Sequence, residues 1–110
     1  MGDAARVVER LKQDRQGAID RLIEWLRIPS ISTDPAYREQ TRDAAAWCAE
    51  RLKEAGLKPE LRETGTADEP GHPIVWAYHE GPAGYEGPHV VFYGHYAVQP
   101  PEPIELWARA

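Results

Sequence analysis

The 110-residue sequence predicts an α/β fold in which two N-terminal helices pack on a small mixed β-sheet. Three observations carry that prediction. Apolar residues recur with a helical period across residues 4–27, and again across residues 35–55. After Gly56 the pattern becomes extended, with runs rich in Val, Trp, Tyr and Phe separated by Gly/Pro loops. Elements therefore follow in the order α-α-β-β-β, without an internal repeat, and the length suits a single domain spanning residues 1–110 with no second one.

The first helix is read from a stripe. At 100° per residue, Ala4, Val8, Leu11, Ala18, Ile19, Leu22, Ile23 and Leu26 gather on one side, while Glu9, Arg10, Gln13, Asp20, Arg21, Glu24 and Arg27 take the other. Arg15 is the one charge within the stripe; its stem is expected to pack while its head reaches solvent. Pro29 ends the helix, because its ring blocks continuation and moves Ile28 out of the helical region. PSISTDP is a linker, and the second helix opens with Asp34 as N-cap and Pro35 in its first turn. Tyr37, Thr41, Ala44, Ala45, Cys48, Leu52 and Ala55 form its inner face, and Gly56 caps its end. Cys48 on that face reads as small core filler.

Residues 58–64 alternate weakly about Leu61, and the loop GTADEPGHP follows. Residues 74–80 and 88–95 read as two further strands joined by GPAGYEG. HVVFYGH, with its consecutive apolar residues, predicts a strand covered on both faces. In AVQPPEPIELWARA, Pro100, Pro101 and Pro103 forbid a central strand or helix interior. Ile104, Leu106 and Trp107 in that tail need something to pack on, so the chain is expected to be a piece of something larger.

Composition excludes several classes. Apolar residues make up 42% and charged residues 28%, ordinary values for a globular protein. Thirteen Lys and Arg against 18 Asp and Glu leave a net charge of −5, so no basic surface awaits a phosphate backbone and nucleic acid is not an expected partner. One Cys supports no disulfide framework, and with four scattered His it makes no zinc finger. No apolar run reaches the roughly 18–20 residues of a membrane span, and the charged N-terminus is not a secretory signal. A cytoplasmic protein without membrane partners is the expectation.

Few residues point to chemistry. Gly81, Gly84 and Gly87 lie between two strands, so they serve a hairpin and not a phosphate cradle. Ser30 and Ser32 have no nucleophile elbow around them, and Glu102 and Glu105 read as solvated loop carboxylates. His89 and His95 stand about 20 Å apart at ~3.3 Å per residue and cannot share a metal. His79 falls opposite His89 if the hairpin closes, as a surface pair, and His72 sits in a loop. His95 differs: it follows Gly94 where the chain leaves a strand, the place where ligands collect in α/β sheets. It is the candidate metal ligand, beside the plainer reading of a strand-end histidine.

The run VVFYGHYAVQPPEPIELW closely resembles the first metal-ligand motif of the zinc metallopeptidases that include carnosinase-like dipeptidases, aminoacylases and succinyl-diaminopimelate desuccinylase. In the dipeptidase branch that motif reads GHYDVQP. LIEWLRIPSIST, LKEAGL and IVWAYHEG agree with the same family upstream, and the resemblance runs from about Ala18 onward. It implies a two-zinc hydrolase of dipeptides or N-acyl amino acids, with His95 at the position of the first His ligand. The family's Asp two residues further on, which orients that ligand, is Ala97 here. Loss of such a partner typically lowers metal affinity or activity ~10–100-fold.

The family's bridging Asp, Glu-Glu pair, remaining ligands and lid domain would follow beyond this sequence. The expectation is therefore the N-terminal portion of a dipeptidase-like catalytic domain, not catalytic alone, with no catalytic residue of its own and doubtful zinc binding. Two alternatives accompany it: one piece of a split hydrolase completed by another chain, and a small non-catalytic interaction module. In either, self-association or a partner chain would engage the open sheet edge and the apolar tail.

Overall fold

The structure is a computed structural model that describes residues 2–108. It contains helices α1 (Asp3–Gln13), α2 (Arg15–Leu26) and α3 (Arg38–Glu54), and strands β1 (Lys58–Arg62) and β2 (Ile74–Tyr78). Three helices and a small sheet make the α/β class that the sequence predicts, with α3 as the helix that packs on the strands. The strands pair antiparallel with Leu61 opposite Val75, and among the described residues parallel pairing occurs at a bridge between Ile31 and Val98. Of the last two residues of the apolar tail, 109 and 110, the structure gives no description.

The first helical stretch is divided. Asp14, at φ −102° and ψ 24°, separates α1 from α2. Asp competes with the helix for backbone hydrogen bonds, and its carboxylate lies over Gly17, where any side chain would collide with it. Arg21 holds that carboxylate from the next turns at 3.0 Å. The predicted apolar stripe exists on both helices but is not covered: α1 and α2 have no buried residue.

Capping follows the sequence at the end of α3, but at its start Asp34 caps a 3-10 turn and α3 itself begins at Arg38, three residues later than predicted. The Asp34 carboxylate accepts from the Ala36 amide at 2.9 Å and opens a short 3-10 turn, Pro35–Tyr37, that leads into α3. At the other end Gly56 takes φ 96°, its amide donates to Lys53 O and the Leu57 amide to Leu52 O. This paired pattern is a Schellman cap, which requires the left-handed conformation that glycine adopts without strain.

The core is small because the molecule is a slab, 48 × 42 × 19 Å. That thickness holds about two layers at ~10 Å each. α3 lies across β1 and β2, with Pro59, Leu61, Val75 and Ala77 turned inward and half-buried. Thr41, Ala44 and Ala45 are sealed from solvent, and Ile31 nearly so. Small side chains at these α3 positions allow close approach of its backbone to the layer beneath. Thr41 satisfies its hydroxyl on the Tyr37 carbonyl at 2.9 Å.

The predicted third strand does not form. Residues 88–95 have no ladder partner among the described residues, and Val90, Val91, Phe92 and Tyr93 are 73–92% exposed. A strand is stabilised by its neighbour's hydrogen bonds and side chains; with neither, an apolar run stays uncovered. Leu106 and Trp107 in the tail are likewise exposed, and the Trp107 indole turns back to donate to Pro101 O at 2.9 Å.

Candidate functional site

The segment bearing His95 has no ladder partner upstream among the described residues. Its downstream half is tied to the body of the molecule by four hydrogen bonds. Trp25 Nε1 donates to the Tyr96 carbonyl at 2.8 Å, and Ser30 Oγ donates to the same oxygen at a longer 3.3 Å. The Val98 amide donates to Ser30 O at 3.1 Å, and the Tyr96 hydroxyl to Pro73 O at 2.7 Å.

These anchors are themselves positioned by packing. Trp25, in the last turn of α2, stacks on Trp47 of α3 with ring centroids 6.4 Å apart and planes 7° from parallel. Trp47 Nε1 donates to Glu24 Oε1 at 2.8 Å, and the Arg51 guanidinium lies 5.3 Å above the Trp47 ring. Ser30 is fully buried beyond the helix stop at Pro29. The 65–73 loop joins the same cluster. His72 Nε2 bonds Ser32 O at 2.9 Å; because a carbonyl only accepts, Nε2 carries the proton. Thr64 Oγ1 then donates to His72 O at 2.6 Å.

Burial raises the Tyr96 phenol above its usual range, against a smaller opposing pull from the Arg42 cation. It stays a neutral donor to Pro73. Burial likewise pushes the half-buried Cys48 thiol up, in accord with a packing role. Arg42 itself is paired with Glu63 in bidentate fashion, and that bond lowers the Glu63 carboxyl.

His95 is exposed, not at the end of a buried strand as the sequence pattern suggested. Its ring meets Tyr93 edge-on, centroids 5.3 Å apart. Ala97 is half-buried and brings no donor atom. The other histidines are elsewhere: His79 Nδ1 accepts from the Gly81 amide at 2.9 Å, and His89 packs against Tyr78 and Tyr85. The hairpin that would have set His79 opposite His89 is a glycine-bearing loop instead, with Gly81 and Gly84 at positive φ. Glu102 and Glu105 are both exposed, Glu102 in the loop and Glu105 within a short 3-10 turn, Ile104–Leu106, which the sequence did not predict.

No group of three or more His, Cys, Asp or Glu occurs together among the described residues. A zinc site takes about three protein ligands, so the donor set present, a single imidazole, does not fit a zinc ion by itself. A groove of about 510 Å³ between α3 and β1, lined by residues such as Ala46, Lys53, Leu57 and Pro59, includes none of the residues around His95.

Trp25 and Ser30 are the participants that pattern reading passed over. Trp25 lay inside a family-like stretch but off the apolar stripe, and Ser30 read only as linker. A Trp one turn before a helix-ending Pro, followed by a small hydroxyl residue, was the available signal.

No protein-family model matches the chain, and no curated protein matches it. Among solved structures, the di-peptidase Dug1p from Saccharomyces cerevisiae has a similar fold, with a TM-score of 0.80 at 22% sequence identity. The match covers 96% of this chain and 23% of that chain, so the sequence spans about a quarter of the length of its structural neighbour.

Proposed function

We propose that this chain forms one part of the catalytic domain of a two-zinc dipeptidase- or aminoacylase-type hydrolase, with His95 as a metal ligand and no hydrolytic activity of its own. The observation that carries the reading is the fold: nearly the whole chain superposes on a portion of a di-peptidase. The GHYAVQP wording around His95 adds to it. In a completed site of this type, paired zinc ions would activate water and polarise the scissile carbonyl of a dipeptide or N-acyl amino acid. This chain brings one imidazole, so the other ligands and the general base must come from further polypeptide. No helix among the described residues is long and apolar enough to cross a membrane.

Calorimetric zinc titration of the purified chain, His95→Ala and Ala97→Asp tests the assignment. The expected result is weak zinc binding by the chain and no dipeptide hydrolysis. Ala97→Asp should tighten binding ~10–100-fold, by restoring a carboxylate that orients the imidazole, and a second change of His95→Ala should abolish the gain. Stoichiometric tight zinc that survives His95→Ala, or EDTA-sensitive hydrolysis by the chain alone, would overturn it.

A second reading, a small non-catalytic interaction module, is favoured by one observation: Val91, Phe92, Leu106 and Trp107 all stand open to solvent. A saturable protein partner bound equally well by His95→Ala and in the presence of EDTA would decide for it.

A further inference from the structure

We infer that Trp25 and Ser30 are positioning residues for His95: the Tyr96 carbonyl is a backbone latch that the end of α2 and its following linker close. The inference rests on the reading of His95 as a ligand, but its geometry does not. A metal-binding or catalytic side chain needs a fixed backbone beneath it, and a β-ladder is the usual means. Here residues 88–95 have no ladder among the described residues, so whatever fixes His95 must act from its other side.

The structure shows what does. Tyr96, the next residue, has its carbonyl held by the Trp25 indole at 2.8 Å and the Ser30 hydroxyl at 3.3 Å. Its side chain is held at Pro73 O, 2.7 Å away. Two residues later the Val98 amide closes onto Ser30 O at 3.1 Å. The carbonyl of Tyr96 and the Cα of His95 are separated by one peptide unit and one residue, so fixing one restrains the other. The 2.8 Å indole bond is the shorter and better formed of the two carbonyl contacts. Trp25 is in turn held by its stack on Trp47, so the latch is braced by the helix that packs on the sheet.

Trp25→Phe removes the indole donor while keeping an aromatic ring on Trp47. Ser30→Ala removes the second donor, and Ser30→Thr restores a hydroxyl. The readout is backbone nuclear relaxation of the full chain, resolved at His95, Tyr96 and Val98, with β1 and β2 as internal control. In the unaltered chain the order parameter at His95 should be near 0.85, the value of rigid backbone. In the Trp25→Phe/Ser30→Ala double variant it should fall below about 0.6, with β1 and β2 unchanged, and Trp25→Phe/Ser30→Thr should recover part of the loss.

If a variant fails to fold, the relaxation of the unaltered chain decides: an order parameter at His95 already below about 0.6 refutes the latch. An unchanged value in a folded double variant refutes it too, as does an equal loss at β1 and β2, which would mark a merely structural role. None of these readouts involves zinc or hydrolysis. Failure of the latch therefore leaves the ligand assignment to the titration of His95→Ala and Ala97→Asp, and failure of that titration leaves the latch intact.

Discussion

Two regions of this molecule bury their side chains in opposite ways. On α3, the modest residues Thr41, Ala44 and Ala45 are wholly buried. In residues 90–93, the far more apolar Val, Val, Phe and Tyr are almost wholly exposed. Hydrophobicity alone would have assigned the burial the other way round. α3 has two strands beneath it and the Trp25–Trp47 stack at its side, whereas the 90–93 run has no ladder neighbour among the described residues. Apolar surface is removed from water only when something else is there to cover it, and α1, amphipathic yet uncovered, makes the same point.

The contrast can be broken first at its buried side. Ala45→Asp places an unpaired charge where there is no access to water, at a cost on the order of 3–5 kcal/mol. Set against a typical total of about 5–15 kcal/mol, that should abolish or severely lower the cooperative thermal transition in circular dichroism. Trp47→Ala should cost less, about 2–3 kcal/mol, because it removes a half-buried ring and its stack on Trp25. Its local signature is loss of hydrogen-exchange protection in α2 before β1 and β2.

The exposed charge pairs give a smaller, pH-dependent effect. Hydrogen bonds from Arg42 and Lys58 lower the carboxyl groups of Glu63 and Glu80 in the folded chain. A carboxyl lowered on folding contributes stability that is complete above its unfolded value, about 4.3, and is lost as pH falls through the lower folded value. Melting temperature should therefore decline slightly below about pH 4.3, and Arg42→Ala with Lys58→Ala should flatten that decline. Because these pairs face solvent, added salt should shrink the effect.

The smallest change in stability is expected at the exposed side. Phe92→Ser should alter the unfolding free energy by no more than about 0.5 kcal/mol, as for surface positions without partners. A larger loss, measured by denaturant titration, would show that the 90–93 run is covered in solution after all and would erase the distinction between the two regions.

Legibility in the sequence followed the same division. Pro29, the Asp34–Pro35 start and the Gly56 cap were readable because each acts on backbone dihedrals and hydrogen bonds within a few residues of itself. The inner face of α3 was readable at Thr41, Ala44 and Ala45, whose spacing puts them on one side. The break at Asp14 was not, since the helical period runs through it unchanged. Nor was the exposure of residues 88–95, whose composition describes a strand that needs neighbours. His95 was recognisable from the motif around it, but its solvent exposure and the hold on Tyr96 by Trp25 and Ser30 were not.

By itself, then, the amino-acid sequence determined where α3 ends, that an Asp34–Pro35 turn leads into it, and where β1 and β2 run. Those properties are local, set by ring closure at proline, the positive φ open to glycine, and periodicity along one element. Only the tertiary structure decided which apolar faces are covered and how the segment after His95 is tied down. Burial and long-range hydrogen bonds depend on groups distant in sequence, as the 71 residues between Trp25 and its partner Tyr96 show, and no local pattern encodes their meeting.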